Sequence, residues 1–141
     1  MIGGLTLKID GNSLKPIYVQ IADAIEDDII SDKLSEGSSC YSQLIIAKEL
    51  KVNPATAAKG INLLVSRGIL EKQRGQAMTV AINAKEKVIM RRKEEVFGTM
   101  VEELVTTAKQ LDLPEDYVLR TIQSYYKETP SHIHSKECSK E

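Results

Sequence analysis

The sequence has no tryptophan and a single phenylalanine, so its core must rest on aliphatic packing instead of large aromatic anchors. Its two cysteines, Cys40 and Cys138, lie far apart, one near a turn and one in a polar tail. That arrangement suggests neither a disulfide framework nor a zinc pair, and reduced thiols are expected. Both histidines, His132 and His134, sit in the same tail as Cys138, where no packed shell would fix metal-ligand geometry. No metal and no cofactor are therefore expected. A G-x-x-x-x-G-K-[ST] phosphate loop is missing, as is a nucleophile with a spaced histidine and acid, so catalysis is the class to exclude. No apolar run approaches the ~18–20 residues of a membrane helix, and the opening "MIGGLTLKID" lacks the pattern of a signal peptide. A cytoplasmic protein without a membrane partner is expected.

A chain of 141 residues, 42% apolar and 28% charged, can form one compact domain with a small attachment. The net charge of −1 argues against nucleic acid on average, but the charge is unevenly placed. Between Lys48 and Gln76, the cations Lys48, Lys51, Lys59, Arg67, Lys72 and Arg74 face only Glu49 and Glu71, a local excess of +4. Phosphate contact depends on such local charge.

After a β-prone lead, "LTLKI", and the turn residues Asp10, Gly11 and Asn12, Pro16 opens a run with Ile17, Ile21, Ile25 and Ile29 at i, i+4 spacing. This predicts an amphipathic helix with Asp23, Glu26 and Asp27 facing water. "SDKLSEGSS" breaks it. Ser42 is placed to cap a helix over Gln43–Leu50 that buries Ile46, Ala47 and Leu50. Asn53 is placed to cap the next, with Pro54 at its first position. That helix buries Ala57, Ile61, Leu64 and Val65, ends at Gly68, and leaves Ala55, Thr56, Lys59, Asn62 and Ser66 on or near its outer side. Ile69–Lys72 and Met78–Ile82 flank the tip Arg74-Gly75-Gln76 and read as a hairpin. Two helices joined by a short turn and closed by a basic-tipped hairpin outline a winged helix-turn-helix.

From Lys85 a long helix is predicted with a broad apolar stripe: Ile89, Val96, Phe97, Met100, Val101, Leu104, Ala108 and Leu111. Pro114 starts another with Val118, Leu119, Ile122 and Tyr126, giving an antiparallel helical hairpin with a generous apolar face. In "MRRKEE", Met90–Glu95, a basic DNA-facing patch competes with a solvated face carrying pairs such as Arg91 to Glu94; the latter is favoured. Beyond Lys127 periodicity stops and a disordered tail is expected.

The segments "PIYVQIADAI" (Pro16–Ile25), "AKELKVNPATAAKGINLLVSRGIL" (Ala47–Leu70) and "RGQAMTV" (Arg74–Val80) together resemble the GntR family of bacterial transcription regulators, and within it the small YtrA-like branch. The likeness runs from about Lys15 to Tyr126. It implies a mainly α fold with a small β-hairpin. An N-terminal winged helix-turn-helix DNA-binding domain (1–82) would be followed by a C-terminal α-helical hairpin dimerisation domain (83–127) and a tail (128–141). It also implies a homodimer, most simply a repressor, on a double-stranded DNA operator of inverted half-sites. Such regulators are often associated with transporter operons. By position, Thr56 matches the family's contacting threonine, Arg74 and Gly75 its wing tip, and Lys59 the branch's lysine. Leu44 stands where the family has a contacting arginine and Tyr41 where it has a proline. Ala55 and Ala58 replace larger polar residues, and Gln76 and Ala77 replace a basic residue and glycine. Leu44 is expected to touch a thymine methyl.

The DNA-contacting set expected from residues and resemblance together is Ser42, Leu44, Lys48, Lys51, Asn53, Ala55, Thr56, Lys59, Lys72, Arg74, Gly75 and Gln76. The expected dimer face is Ile89, Val96, Phe97, Met100, Leu104, Val118, Ile122 and Tyr126. An alternative, motivated by Leu44 and the two alanines, is a protein-interaction module on a winged-helix scaffold with weakened operator binding. The C-terminal hairpin is short for enclosing a ligand pocket of ~300 Å³ or more, so a small-molecule effector would need a cavity between subunits.

Overall fold

The computed structural model describes residues 9–75 and 77–129. The lead as far as Lys8, the tip residue Gln76, and the tail from Pro130 with His132, His134 and Cys138 lie outside the described residues. Helices α1 (Ile17–Ile30), α2 (Gln43–Leu50) and α3 (Pro54–Ser66) are followed by strands β1 (Leu70–Glu71) and β2 (Thr79–Val80). Helix α4 (Ala84–Arg91), a π-helical segment (Arg92–Phe97), α5 (Gly98–Gln110) and α6 (Glu115–Glu128) complete the order. The chain divides into two compact units between Glu95 and Val96, and among the described residues no helix is long and apolar enough to cross a membrane.

The first unit forms around the isoleucine stripe of α1. Ile21, Ile25 and Ile29 are buried with Ile46 of α2, Ala57, Ile61 and Leu64 of α3, Leu70 and Val80 of the strands, and Ala84 and Val88 of α4. Helix α1 packs on both α3 and α4, and α2 on α3. The strands are shorter than the sequence suggests. Leu70 pairs with Val80 and Glu71 with Thr79, antiparallel. The stretch before α2 adds to β2 from its other side, with Gly37 N donating to Val80 O at 2.7 Å and Cys40 N to Met78 O at 2.7 Å. In "PIYVQI", Gln20 fixes the approach to α1. Its Oε1 accepts from Asp10 N, and its Nε2 donates to the carbonyls of Asp10 and Lys15.

Three sequence expectations are corrected here. Glu26 does not face water: it is fully buried. Arg67 Nη1 reaches its Oε2 at 2.9 Å, while Arg91 Nη2 and Arg92 Nη2 reach its Oε1 at 2.6 and 3.1 Å. Arg91 is consequently neither part of a DNA-facing patch nor paired with Glu94 on a solvated face: its guanidinium is largely buried, with Nη2 on Glu26 and Nη1 3.7 Å from Glu95. Third, the helix predicted from Lys85 onward is not one α-helix, since the π-helical turns of Arg92–Phe97 interrupt it. Burial of a carboxylate demands such partners, because an unpaired ion loses its hydration without return. Arg92 also donates to Asp27 at 2.8 Å and to the carbonyl of Asp23. Burial lowers its pKa, but the hydrogen bond to Asp27 and the nearby carboxylates outweigh this and raise it.

Gly60 sits where α3 crosses α1. A Cβ there would lie 3.0 Å from the Tyr18 carbonyl oxygen and 3.0 Å from Ile21 Cγ2, so the two helices meet nearly main chain to side chain. Gly60→Ala gains ~1 kcal/mol of helix propensity but meets an overpacking cost of ~1–3 kcal/mol. Net destabilisation is expected in thermal melts, and a raised melting temperature would contradict the close contact.

In the second unit Ala108 is buried, and it is the one buried side chain among the described residues from Val96 onward. Helices α5 and α6 have no extended contact along their lengths. The expected packing of the two helices against each other is therefore not seen, and the apolar residues stay uncovered: Phe97, Met100, Leu104, Leu111, Leu119, Tyr125 and Tyr126 are all exposed.

Candidate nucleic-acid interface

Local chemistry sets both helix starts. Ser42 Oγ accepts from Ile45 N at 3.1 Å and Asn53 Oδ1 from Ala55 N at 2.8 Å. Between them Lys51 adopts a left-handed conformation, φ 56°, as it ends α2, and Val52 N donates back to Ala47 O. The resulting turn of three residues, Lys51–Asn53, brings α3 across α2.

On α3 the exposed residues are Pro54, Ala55, Lys59, Asn62 and Ser66, with Thr56 and Ala58 half-buried at the margins. Lys59 Nζ lies 5.0 Å from the centroid of the Tyr18 ring, a cation–π contact that orients it while leaving it accessible. On α2, Leu44 and Lys48 are exposed one turn apart, and Lys51 is exposed at its end. In the wing, Lys72, Arg74 and Gly75 are exposed, and Gly75 takes φ +69° at the tip with open space around it. Gln76 of the expected set is not among the described residues. Ala77 of the wing shares a cleft of about 830 Å³ with Tyr41, Ser42 and Ile45, which places the wing and the first turn of α2 on one surface.

The local charge needs revising. Arg67, counted in the basic window, is turned inward to Glu26 and lies 3.7 Å from Asp23. Lys48, Lys51, Lys59, Lys72 and Arg74 remain exposed.

Tyr41 plays a part that spacing alone could not reveal. Its hydroxyl donates to Asp28 Oδ2 at 2.7 Å, and Asp28 is itself buried. Burial and this hydrogen bond push the phenol above its ordinary range. The contact ties the residue before the Ser42 cap to the end of α1. Beside it, burial pushes the Cys40 thiol up to about 12, so the thiolate is scarce near neutral pH and the side chain acts as a small core group.

No protein-family model matches the chain. It is 31% identical over 113 residues to the uncharacterised HTH-type transcriptional regulator YhcF of Bacillus subtilis (strain 168), spanning 80% of this chain and 92% of that protein. Among solved structures, YtrA from Sulfolobus acidocaldarius, a GntR-family transcription factor, is 31% identical, with a TM-score of 0.52 over 74% of this chain and 97% of that one. The chain belongs to the GntR family of transcriptional regulators. A GntR-family regulator from Bacteroides thetaiotaomicron superimposes with a TM-score of 0.69 at 25% identity, covering 79% of this chain and 97% of that one.

In this GntR-family protein the expected dimer residues fall in two places. Val96, Phe97, Met100, Leu104 and Tyr126 are exposed in the second unit, and Val118 and Ile122 are half-buried there. Ile89 is half-buried on α4, within the first unit.

Proposed function

We propose that this chain is a sequence-specific DNA-binding regulator that acts in the cytoplasm as a homodimer on an inverted-repeat operator. The observation that carries the reading is the outer face of α3. It bears exposed small and polar side chains with Lys59, which Tyr18 orients from α1 without burying it, and is accompanied by a wing whose Lys72 and Arg74 are exposed. Small residues such as Ala55 let the helix backbone approach base edges. Lys48, Lys51 and the wing cations hold phosphates on either side. The capped start of α3 also offers N–H groups and the positive end of its dipole to a phosphate.

The uncovered apolar residues of α5 and α6 support the second part. Neither helix covers the other, and a second copy supplies the missing surface in the YtrA-like manner, so that dimer geometry sets half-site spacing. Repression is the simplest outcome, since a dimer seated over a promoter obstructs transcription with no further contact.

The test is selection of bound duplexes from a random DNA pool by purified protein at low and moderate salt. An inverted repeat should be enriched. Thr56→Ala and Lys59→Ala should weaken its binding, and the latter should lower the salt slope by about one unit. Salt-sensitive binding without any enriched sequence would reject sequence-specific regulation and favour a protein-interaction role.

A further inference from the structure

The outward surface of α2 and α3 is rich in aliphatic carbon and poor in arginine. None of the exposed positions on α3 is arginine. Arg67, just past its end, is held by buried Glu26 with its side chain only 19% exposed. On α2, Leu44 is 71% exposed, although nothing in its own unit requires a leucine in water there. In the major groove guanine is read best by a bidentate arginine or lysine, adenine by asparagine or glutamine, and thymine by apolar contact with its C5-methyl. Leu44, Ala55 and Asn62 match the last two, and the exposed lysines, Lys48, Lys51 and Lys59, are assigned to phosphates. Exposed Lys48 and Lys51 around Leu44 suit a polyanion and not an apolar protein partner.

Resting on the regulator reading above, we propose that this protein selects its operator through thymine methyl groups. Leu44 and Ala55 are the aliphatic contacts, and Asn62 reads adenine edges beside them. The contacted positions of each half-site are then A·T pairs, and their orientation is set by where the methyls fall. Positive charge holds the duplex, while methyl contact supplies the discrimination.

The strongest-binding duplex from the random-pool selection can be resynthesised with deoxyuridine in place of thymidine, one half-site position at a time, which removes the methyl and keeps the pairing. Affinity should fall about fourfold for each contacted methyl lost. Leu44→Ala should erase the thymidine preference at one position and keep it at the others. Lys59→Ala should weaken thymidine and deoxyuridine duplexes equally. Equal binding of both duplexes by the unaltered protein, or selection of G·C pairs at the contacted positions, overturns the methyl readout while leaving the regulator reading standing. Failure to bind any duplex overturns the regulator reading, and this inference with it.

Discussion

Glu26→Ala should destabilise the first unit by about 3–5 kcal/mol, the range for breaking a buried ion pair from one side. The carboxylate is fully buried, and it receives guanidinium groups from Arg67, Arg91 and Arg92. Its loss leaves three cations with reduced compensation. Arg92 keeps Asp27 and Arg67 keeps Asp23, and the arginine side chains are 17–28% exposed, so water relieves part of the cost and the lower end of the range is the better expectation. Glu26→Gln keeps the shape but turns an amide toward guanidinium groups, and should fall between alanine and the native residue. Lys85→Ala, which removes a partner of exposed Asp32, should cost no more than ~1 kcal/mol. Urea unfolding at fixed protein concentration reads all three. A Glu26→Ala midpoint within the Lys85→Ala range would refute the clamp.

A second large effect is expected from the exposed stripe of α5. Met100 and Leu104 lie one turn apart and are 62% and 42% exposed. If a second copy covers them, each contributes ~1.5–3 kcal/mol when buried, counted twice in a symmetric dimer. The double variant Met100→Asp/Leu104→Asp replaces that gain with buried like charges. Sedimentation should show a dimer for the native chain and a monomer for the double variant. Affinity for a full inverted repeat should drop on the order of 10²–10⁴-fold, because two linked half-site contacts become one. Binding to an isolated half-site should change little. Persistence of the dimer, with circular dichroism showing intact helices, would mean that the apolar stripe serves another purpose.

What could be read from sequence was local. The isoleucine spacing gave α1, the Ser42 and Asn53 caps gave the starts of α2 and α3, and the period of α3 separated Ala57, Ile61 and Leu64 from Ala55, Lys59 and Asn62, because each signal lies within one or two turns of chain. Burial of Glu26 has the opposite origin. Its partners Arg67 and Arg91 are 41 and 65 residues away, and an acid between hydrophobic positions looks like any solvated one until they arrive. The one available hint was its place a turn after Ala22, at the edge of the buried stripe. The same blindness inflated the charge of the candidate interface, where Arg67 counted as a free cation. Nothing local marks Gly60 as a contact point; the crossing of α1 explains it. The π-helical segment has no local signature, because the apolar residues from Ile89 to Leu111 fit an α period closely enough to hide one irregular turn.

The seat of α3 at Gly60 bears on how such a protein can change over time. Where that helix sits is fixed on its inner side, by contact with the Tyr18 carbonyl and Ile21, while Ala55, Asn62 and Ser66 are exposed on its outer side and Lys59 is exposed with its ammonium over the Tyr18 ring. Support is thus assigned to one side of this thirteen-residue helix and the proposed reading surface to the other. Outer residues can be exchanged without shifting the frame that presents them, so on the proposed DNA-binding reading descendants of one scaffold would acquire new target sequences by surface substitution alone. The residue that makes this exchange safe is the one with no side chain.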